Sequence, residues 1–349
     1  MKQNRFFNSS AQIDFTHIQF RAIASAFLAT VIIATVPILA KFGEKELSAS
    51  ALIFHRLWIG AMMLFFWQIF QILPQILPQR LQQYFHNQQS SNLSQPANFK
   101  VEMTKFDLIR TLALILCTGV AYATMQDLWA VSIAHTSLAN SAILHNLTPL
   151  VTAIIGVLFF QQHLELQFTI GMIVAVAGSL LLGLNDFQIE VSKIHGDAIA
   201  LGSAVMLALY LLLLDRVRQK FSAVLTVLYC SLAGIPIILI PILVNHERIF
   251  PTSLSVWLAV IGLGGTIALG HGLLAYALKW VSPEFIAILM LLEPIITAAL
   301  SSVIFSENLD FYNLLAFPII LTGMYLAINS PSLLEAKQEK INNREQGTL

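Results

Sequence analysis

Few groups in this chain are able to do chemistry, and the most telling of them stand inside apolar sequence. Glu293 lies at the middle of the run Pro283–Phe305, and Arg56 lies a third of the way into Ala51–Leu73. His55, His145 and His271 have similar surroundings. A charged side chain at mid-bilayer costs about 2.5–3.5 kcal/mol on insertion scales, so such groups face protein or water and mark routes for solutes or protons. Glu293 can hold a proton in a dry setting and release it in a wet one. Arg56, the only Arg well inside such a run, is its natural cationic partner.

Spacing adds two polar faces. Ser141, His145, Thr148 and Thr152 recur at i, i+4, i+7 and i+11, on one side of a helix. Tyr122, Gln126 and Trp129 recur at i, i+4 and i+7 and present an amide between two aromatics. These faces either line a solute cavity or tie helices together, with Ser and Thr hydroxyls bonding their own i−4 carbonyls. Pro149 and Pro294 each remove a helix N–H; a freed carbonyl can bind solute, although a kink is the simpler expectation. Trp58, Trp67, Trp257 and Trp280 read as anchors at the membrane–water boundary. Cys117 and Cys230 read as small apolar residues, and no metal site, disulfide or cofactor is expected. The chain carries no H-E-x-x-H, phosphate-binding Gly loop or G-x-S-x-G.

The elements that must position these residues are set by composition. Of 349 residues, 57% are hydrophobic and only 11% charged, against about a quarter charged in soluble domains. The solvent is therefore a lipid bilayer, and a formal net charge of zero gives no attraction for nucleic acid. Runs of about 17–25 apolar residues are needed to span hydrocarbon. Ten are present: Phe20–Lys41, Ala51–Leu73, Asp107–Trp129, Ser137–Phe160, Phe168–Leu184, Gly196–Leu214, Ala223–Val244, Ser255–Leu278, Pro283–Phe305 and Tyr312–Ile328. The first run is too long for a signal peptide and reads as a retained span.

With the N-terminus inside, fourteen Lys and Arg fall on the inner side and four on the outer, so both termini are expected in the cytoplasm. Residues 1–19 and 329–349 read as solvated ends, and the 74–106 connection as a polar cytoplasmic loop.

Shifting the chain by 145 residues lays Ala259–Ala327 on Leu114–Leu182 without a gap, with sixteen of 69 positions identical. Shared composition alone gives roughly 10%, so the excess points to duplication. Gly119/Gly264, Pro149/Pro294 and Gly178/Gly323 are among the pairs, and Gln126 falls opposite His271. Five spans per half force the second copy into the membrane upside down, the inverted arrangement of many secondary transporters, with the solute site at the midplane between halves. The expected fold is an all-α integral membrane protein of ten helices, as a repeat over 20–184 and a second over 196–328.

With these residues in order, the chain resembles the EamA-type transporters of the drug/metabolite transporter superfamily over nearly all of Phe20–Ile328. The likeness is carried by Phe54-His55-Arg56, Gly196-Asp197, Leu291-Leu292-Glu293-Pro294, Phe305-Ser306-Glu307 and Gly323. The first half departs from that pattern at Gln162, opposite Glu307, and at Thr148, opposite Glu293, and its 74–106 loop is long for the family. The resemblance implies an exporter of a small polar or amphipathic metabolite, such as an amino acid, working by alternating access in exchange for protons. Tyr122, Gln126, Ser141, His145, Thr148 and His271 are the expected solute contacts, and Glu293 with Arg56 the coupling pair. Glu307 is expected as a helix-end group. Expected partners are the solute, protons, the lipid of the plasma or inner membrane, and a second copy of the chain in a homodimer. The alternatives are a membrane-embedded enzyme acting on a lipid or isoprenoid, and a channel or sensor.

Overall fold

The computed structural model describes residues 20–76, 105–160, 164–182, 193–305 and 311–330, and every regular element among them is a helix. In chain order they are α1 Phe20–Gly43, α2 Ala49–Ile76, α3 Lys105–His135, α4a Leu138–His145, α4b Thr148–Phe160, α5 Leu166–Leu181 and α6 Ile194–Arg218. Then follow α7 Ala223–Val244, α8 Leu254–Ala277, α9a Pro283–Met290, α9b Leu292–Phe305 and α10 Phe311–Ile328. Eight helical segments are long and apolar enough to cross a membrane, counting α4a–α4b and α9a–α9b as one each. The remaining two of the expected ten, α5 and α10, are apolar but shorter, α5 reaching about 24 Å at 1.5 Å per residue. Gln162, Glu307, most of the 74–106 loop and both chain ends lie outside the described residues.

Local sequence sets the helix boundaries. Ser137, Ser222, Ser253 and Ser282 each cap a helix start, accepting from the backbone N–H three residues on. The helices containing Pro149 and Pro294 break one turn ahead of the proline, at Asn146–Leu147 and at Leu291. The carbonyl of His145, which would have met the missing N–H of Pro149, is taken up instead by the Thr148 hydroxyl at 2.6 Å. Both prolines thus make kinks, as the sequence suggested.

Packing relies on glycines at helix crossings. A Cβ at Gly119 of α3 would lie 2.5 Å from the Cys230 carbonyl and 2.9 Å from Gly234 N of α7. The same crossing occurs between α8 and α2, where a Cβ at Gly264 would strike Ile59 and lie 3.1 Å from Gly60 N. Gly264 is Gly119 shifted by 145, whereas α1 and α6 begin 174 residues apart (20 to 194), as do α2 and α7 (49 to 223). Gly234 is accordingly Gly60 shifted by 174, the 29-residue excess falling in the long loop. Between α5 and α10, a Cβ at Gly178 would lie 2.8 Å from Ile320 N, and one at Gly323 would collide with Ala175 N. Those two contacts also interchange under the shift of 145. Apolar side chains cover the outside: Phe66, Phe70, Phe159 and Val303 are all more than half exposed, as a bilayer-facing surface requires.

Candidate functional site

Where α2, α3, α6 and α8 meet, a polar cluster is sealed inside this apolar bundle. Arg56 is 5% exposed. Its Nε donates to Thr266 Oγ1 at 3.1 Å, and one terminal nitrogen, Nη2, lies 3.4 Å from His271 Nε2. The guanidinium carbon sits 6.0 Å from the centre of the Tyr122 ring, within cation–π range. Tyr210 reaches His271 from the other side, with its hydroxyl 2.9 Å from Nδ1. Gln126 Nε2 donates to the Tyr122 hydroxyl at 3.2 Å, and that hydroxyl lies 3.4 Å from His271 Nε2.

Donor and acceptor rules fix the imidazole. A guanidinium can only donate, so Nε2 of His271 is the bare nitrogen and Nδ1 carries the hydrogen toward Tyr210. The ring is thereby locked as an acceptor aimed at Arg56. Helix α8 makes this possible by opening into a π-helical turn over Thr266–His271. Bonding from i to i+5 brings Thr266 and His271 to one side, which an α-helical turn would hold apart.

Glu293 lies in the first turn of α9b, within electrostatic reach of Arg56 and Tyr122. The residue as a whole is half-buried, but its Oε1 is shielded from solvent and accepts no hydrogen bond. The sequence directed Tyr122, Gln126 and His271 toward one central volume, and the hydrogen bonds bring these three together with Arg56; Glu293 makes no hydrogen bond with them through Oε1. Sequence reasoning missed Tyr210 and Thr266. The Gly-rich stretch Gly262–Gly272 around Thr266 was the available signal for an irregular turn.

The α4 residues form a second cluster. His145 Nδ1 lies 2.8 Å from Ser203 Oγ of α6, and the Trp129 ring is 6.1 Å away, its own Nε1 buried without a partner. Ser141 Oγ meets Ser132 Oγ at 2.5 Å, while the Thr152 hydroxyl returns to the Thr148 carbonyl at 2.8 Å. The Ser141 hydroxyl thus ties α4a to α3, whereas those of Thr148 and Thr152 bond carbonyls of α4 itself. Beside them, Asp197 Oδ1 accepts from Thr136 at 2.6 Å and Asn140 at 3.1 Å, and Gly196 lies against the His135 backbone. The Gly-Asp pair clasps α6 to the α3–α4a corner.

His55, next to Arg56 in the chain, bonds elsewhere. Its Nε2 meets the Ile249 carbonyl at 2.7 Å, and Trp58 Nε1 donates to its Nδ1 at 2.9 Å. Phe250 and Trp257 pack on the same ring, so Trp58 and Trp257 build an aromatic plug where α2 meets the α7–α8 connection. Next to it Glu46, in the α1–α2 loop, accepts from Thr252 N at 2.6 Å, Thr252 Oγ1 at 2.9 Å and Ser253 N at 3.2 Å. Those bonds hold its carboxyl down at about 2, the Ser253 and Thr252 contacts outweighing a small opposing effect of burial. No group of three or more His, Cys, Asp or Glu among the described residues is arranged to hold a metal.

Residues 20–184 and 194–329 both match the EamA-like transporter family. The chain is 28% identical over 165 residues to the UDP-galactose/UDP-glucose transporter 7 of Arabidopsis thaliana, covering 43% of this chain and 50% of that protein. It is 25% identical over 222 residues to the uncharacterized transporter YxxF of Bacillus subtilis (strain 168), covering 62% and 68%. The chain thus spans about half the length of the plant relative. A solved crystal structure superposes with a TM-score of 0.68 at 15% identity, covering 88% of this chain and 98% of the other, which speaks to fold alone.

Proposed function

The chain belongs to the EamA-like transporter family, and from that membership we propose a secondary transporter that exports a small polar or amphipathic metabolite by alternating access in exchange for protons. The observation that carries this reading is the buried Arg56–Thr266–His271–Tyr122–Tyr210 cluster, a concentration of hydrogen-bonding groups that an inert bundle has no reason to pay for at such depth. The glycine crossings that interchange under the 145- and 174-residue shifts support an inverted pair of five-helix repeats with the site between them.

In this scheme Tyr122, Gln126 and His271 contact the solute first. His145, Ser141 and Thr148 line its path once the α4a–α4b kink straightens or bends further. Glu293 takes up the exchanged proton, and Arg56 senses its charge. The protein sits in the plasma or inner membrane with both termini cytoplasmic. An amino acid is the first substrate to try; a nucleotide sugar is the second, because the plant relative is named for UDP-sugars.

Comparing metabolites inside and outside cells with and without the protein identifies the solute. In liposomes holding the purified chain, uptake of that solute should saturate and should drive counterflow. A Glu293→Gln variant should retain exchange of labelled for unlabelled solute while losing uphill transport and its pH dependence. Uphill transport with unaltered pH dependence in Glu293→Gln would remove the coupling role; flux without saturation would favour a channel.

A further inference from the structure

The geometry points to the free edge of the Arg56 guanidinium as the receptor for an oxyanion group, carboxylate or phosphate, on the solute; this assignment rests on the transporter reading above and adds the charge class of the cargo. A guanidinium carries five N–H donors. Nε is committed to a hydroxyl, Thr266, and Nη2 faces a neutral imidazole, His271. Nη1 makes no hydrogen bond among the described residues, and no carboxylate among them forms an ion pair with Arg56. The groups that hydrogen-bond the cation inside the bundle are thus all neutral.

Glu293 is the acid within electrostatic reach, yet its Oε1 accepts nothing. A buried charge is tolerated when an opposite charge and hydrogen bonds meet it, and one partner left alone is the costly arrangement. In this conformation the missing partner is an anion. The fixed groups also aim the fork. Thr266 and His271 hold one edge from the π-helical turn, Tyr210 braces His271, and the Tyr122 ring flanks the guanidinium carbon. What remains is a planar, pre-oriented pair of donors, the shape that binds a carboxylate or phosphate through two parallel hydrogen bonds. A Lys would supply the charge without the fork.

The test uses the full-length protein in detergent micelles and reads its melting midpoint against matched probes at equal ionic strength. Succinate is paired with succinamide for the carboxylate source, and glycerol 3-phosphate with glycerol for the phosphate source. The expected result is a saturable rise with at least one anion and none with its neutral partner. That rise should be absent in Arg56→Gln and shifted to at least tenfold higher concentration in Arg56→Lys. Which pair responds separates carboxylate from phosphate cargo. Should Arg56→Gln fail to fold, Arg56→Lys carries the test alone, because the point charge remains and the fork does not. Equal stabilisation by anion and neutral partner overturns the assignment, as do an unshifted response in Arg56→Lys and the lack of a saturable response to either anion. Anion binding at Arg56 without any flux in liposomes would overturn the transporter reading and leave this one standing. Saturable flux of a solute lacking any anionic group would do the reverse.

Discussion

Two threonines with nearly interchangeable numbers give opposite expectations for the same substitution. Thr266 accepts from Arg56 Nε, whereas Thr226 is 0% exposed with an Oγ1 that has no partner. Val matches the shape of Thr but lacks the hydroxyl. Thr266→Val leaves a charged donor unmet inside the bundle, where a hydrogen bond to a charged group is worth about 1.5–3 kcal/mol. Interhelical hydrogen bonds in membranes average only about 0.6 kcal/mol, because the unfolded state in lipid also finds partners. The buried guanidinium argues for the upper range, so we expect a loss of about 1.5 kcal/mol or more. Thr226→Val removes a polar atom whose unpaired burial costs about 1–3 kcal/mol on protein scales, so it should be neutral or stabilising. Reversible unfolding in mixed micelles with increasing anionic detergent would measure both variants against the parent. Equal destabilisation by the two, or a Thr266→Val indistinguishable from parent, would refute the assignment of Thr266 as the support of Arg56.

Gly323→Ala drives a methyl into the α5 backbone and should cost about 1–3 kcal/mol, whereas Gly265→Ala, with nothing within 4 Å, should cost nothing; the same unfolding assay compares them. Because the Glu46 carboxyl is lowered from 4.5 to about 2, its contribution to stability is complete above 4.5 and fades as pH falls toward 2. Melting midpoints of parent and Glu46→Gln should therefore differ most at neutral pH and converge between pH 4.5 and 2; a constant gap would show that the carboxylate's charge is not what ties the α1–α2 loop to α8. Reporters fused after Leu349 or within 88–95 should be cytoplasmic and one after Asn245 external, and an external 88–95 would break the parity that inversion requires. Cys placed at Gln126 or His271 should react with a small polar thiol reagent, more slowly with solute present, while Cys at the lipid-facing Ile154 should not; equal inertness would leave only packing.

The sequence carried the helices because hydrocarbon imposes long apolar runs whatever the fold. It carried the kinks because a proline removes a hydrogen bond wherever it sits. The meeting of Tyr122, Gln126 and His271 with Arg56 was legible through cost: each is expensive at membrane depth and so points inward. Tyr210 and Ser203 were not legible, since a single hydroxyl in an apolar run satisfies many neighbours and names none. His55 shows the limit of adjacency, since consecutive helix residues point about 100° apart; Arg56 turns into the bundle while His55 turns to Ile249. Thr266 needed knowledge of the π turn, since a period of 3.6 does not bring positions 266 and 271 to one side.

The glycine crossings have a bearing on how the chain is made. Gly119 docks on Gly234, and Gly60 on Gly264, so grooves in the early helices are filled only by helices that come later. The interval from Gly119 to Gly234 is 115 residues (234 − 119), which at 5–20 residues per second amounts to roughly 6–23 s of translation. Throughout that delay α3 holds an uncovered glycine groove and α2 carries Arg56 before its Thr266 and His271 supports exist. The nascent chain needs shelter for that interval, at the insertion machinery or beside another helix, and a synthesis rate slowed across α4–α6 prolongs the exposure in proportion. Two half-length polypeptides, each inserted in its own right, would have to meet in the membrane before either could bury its glycines.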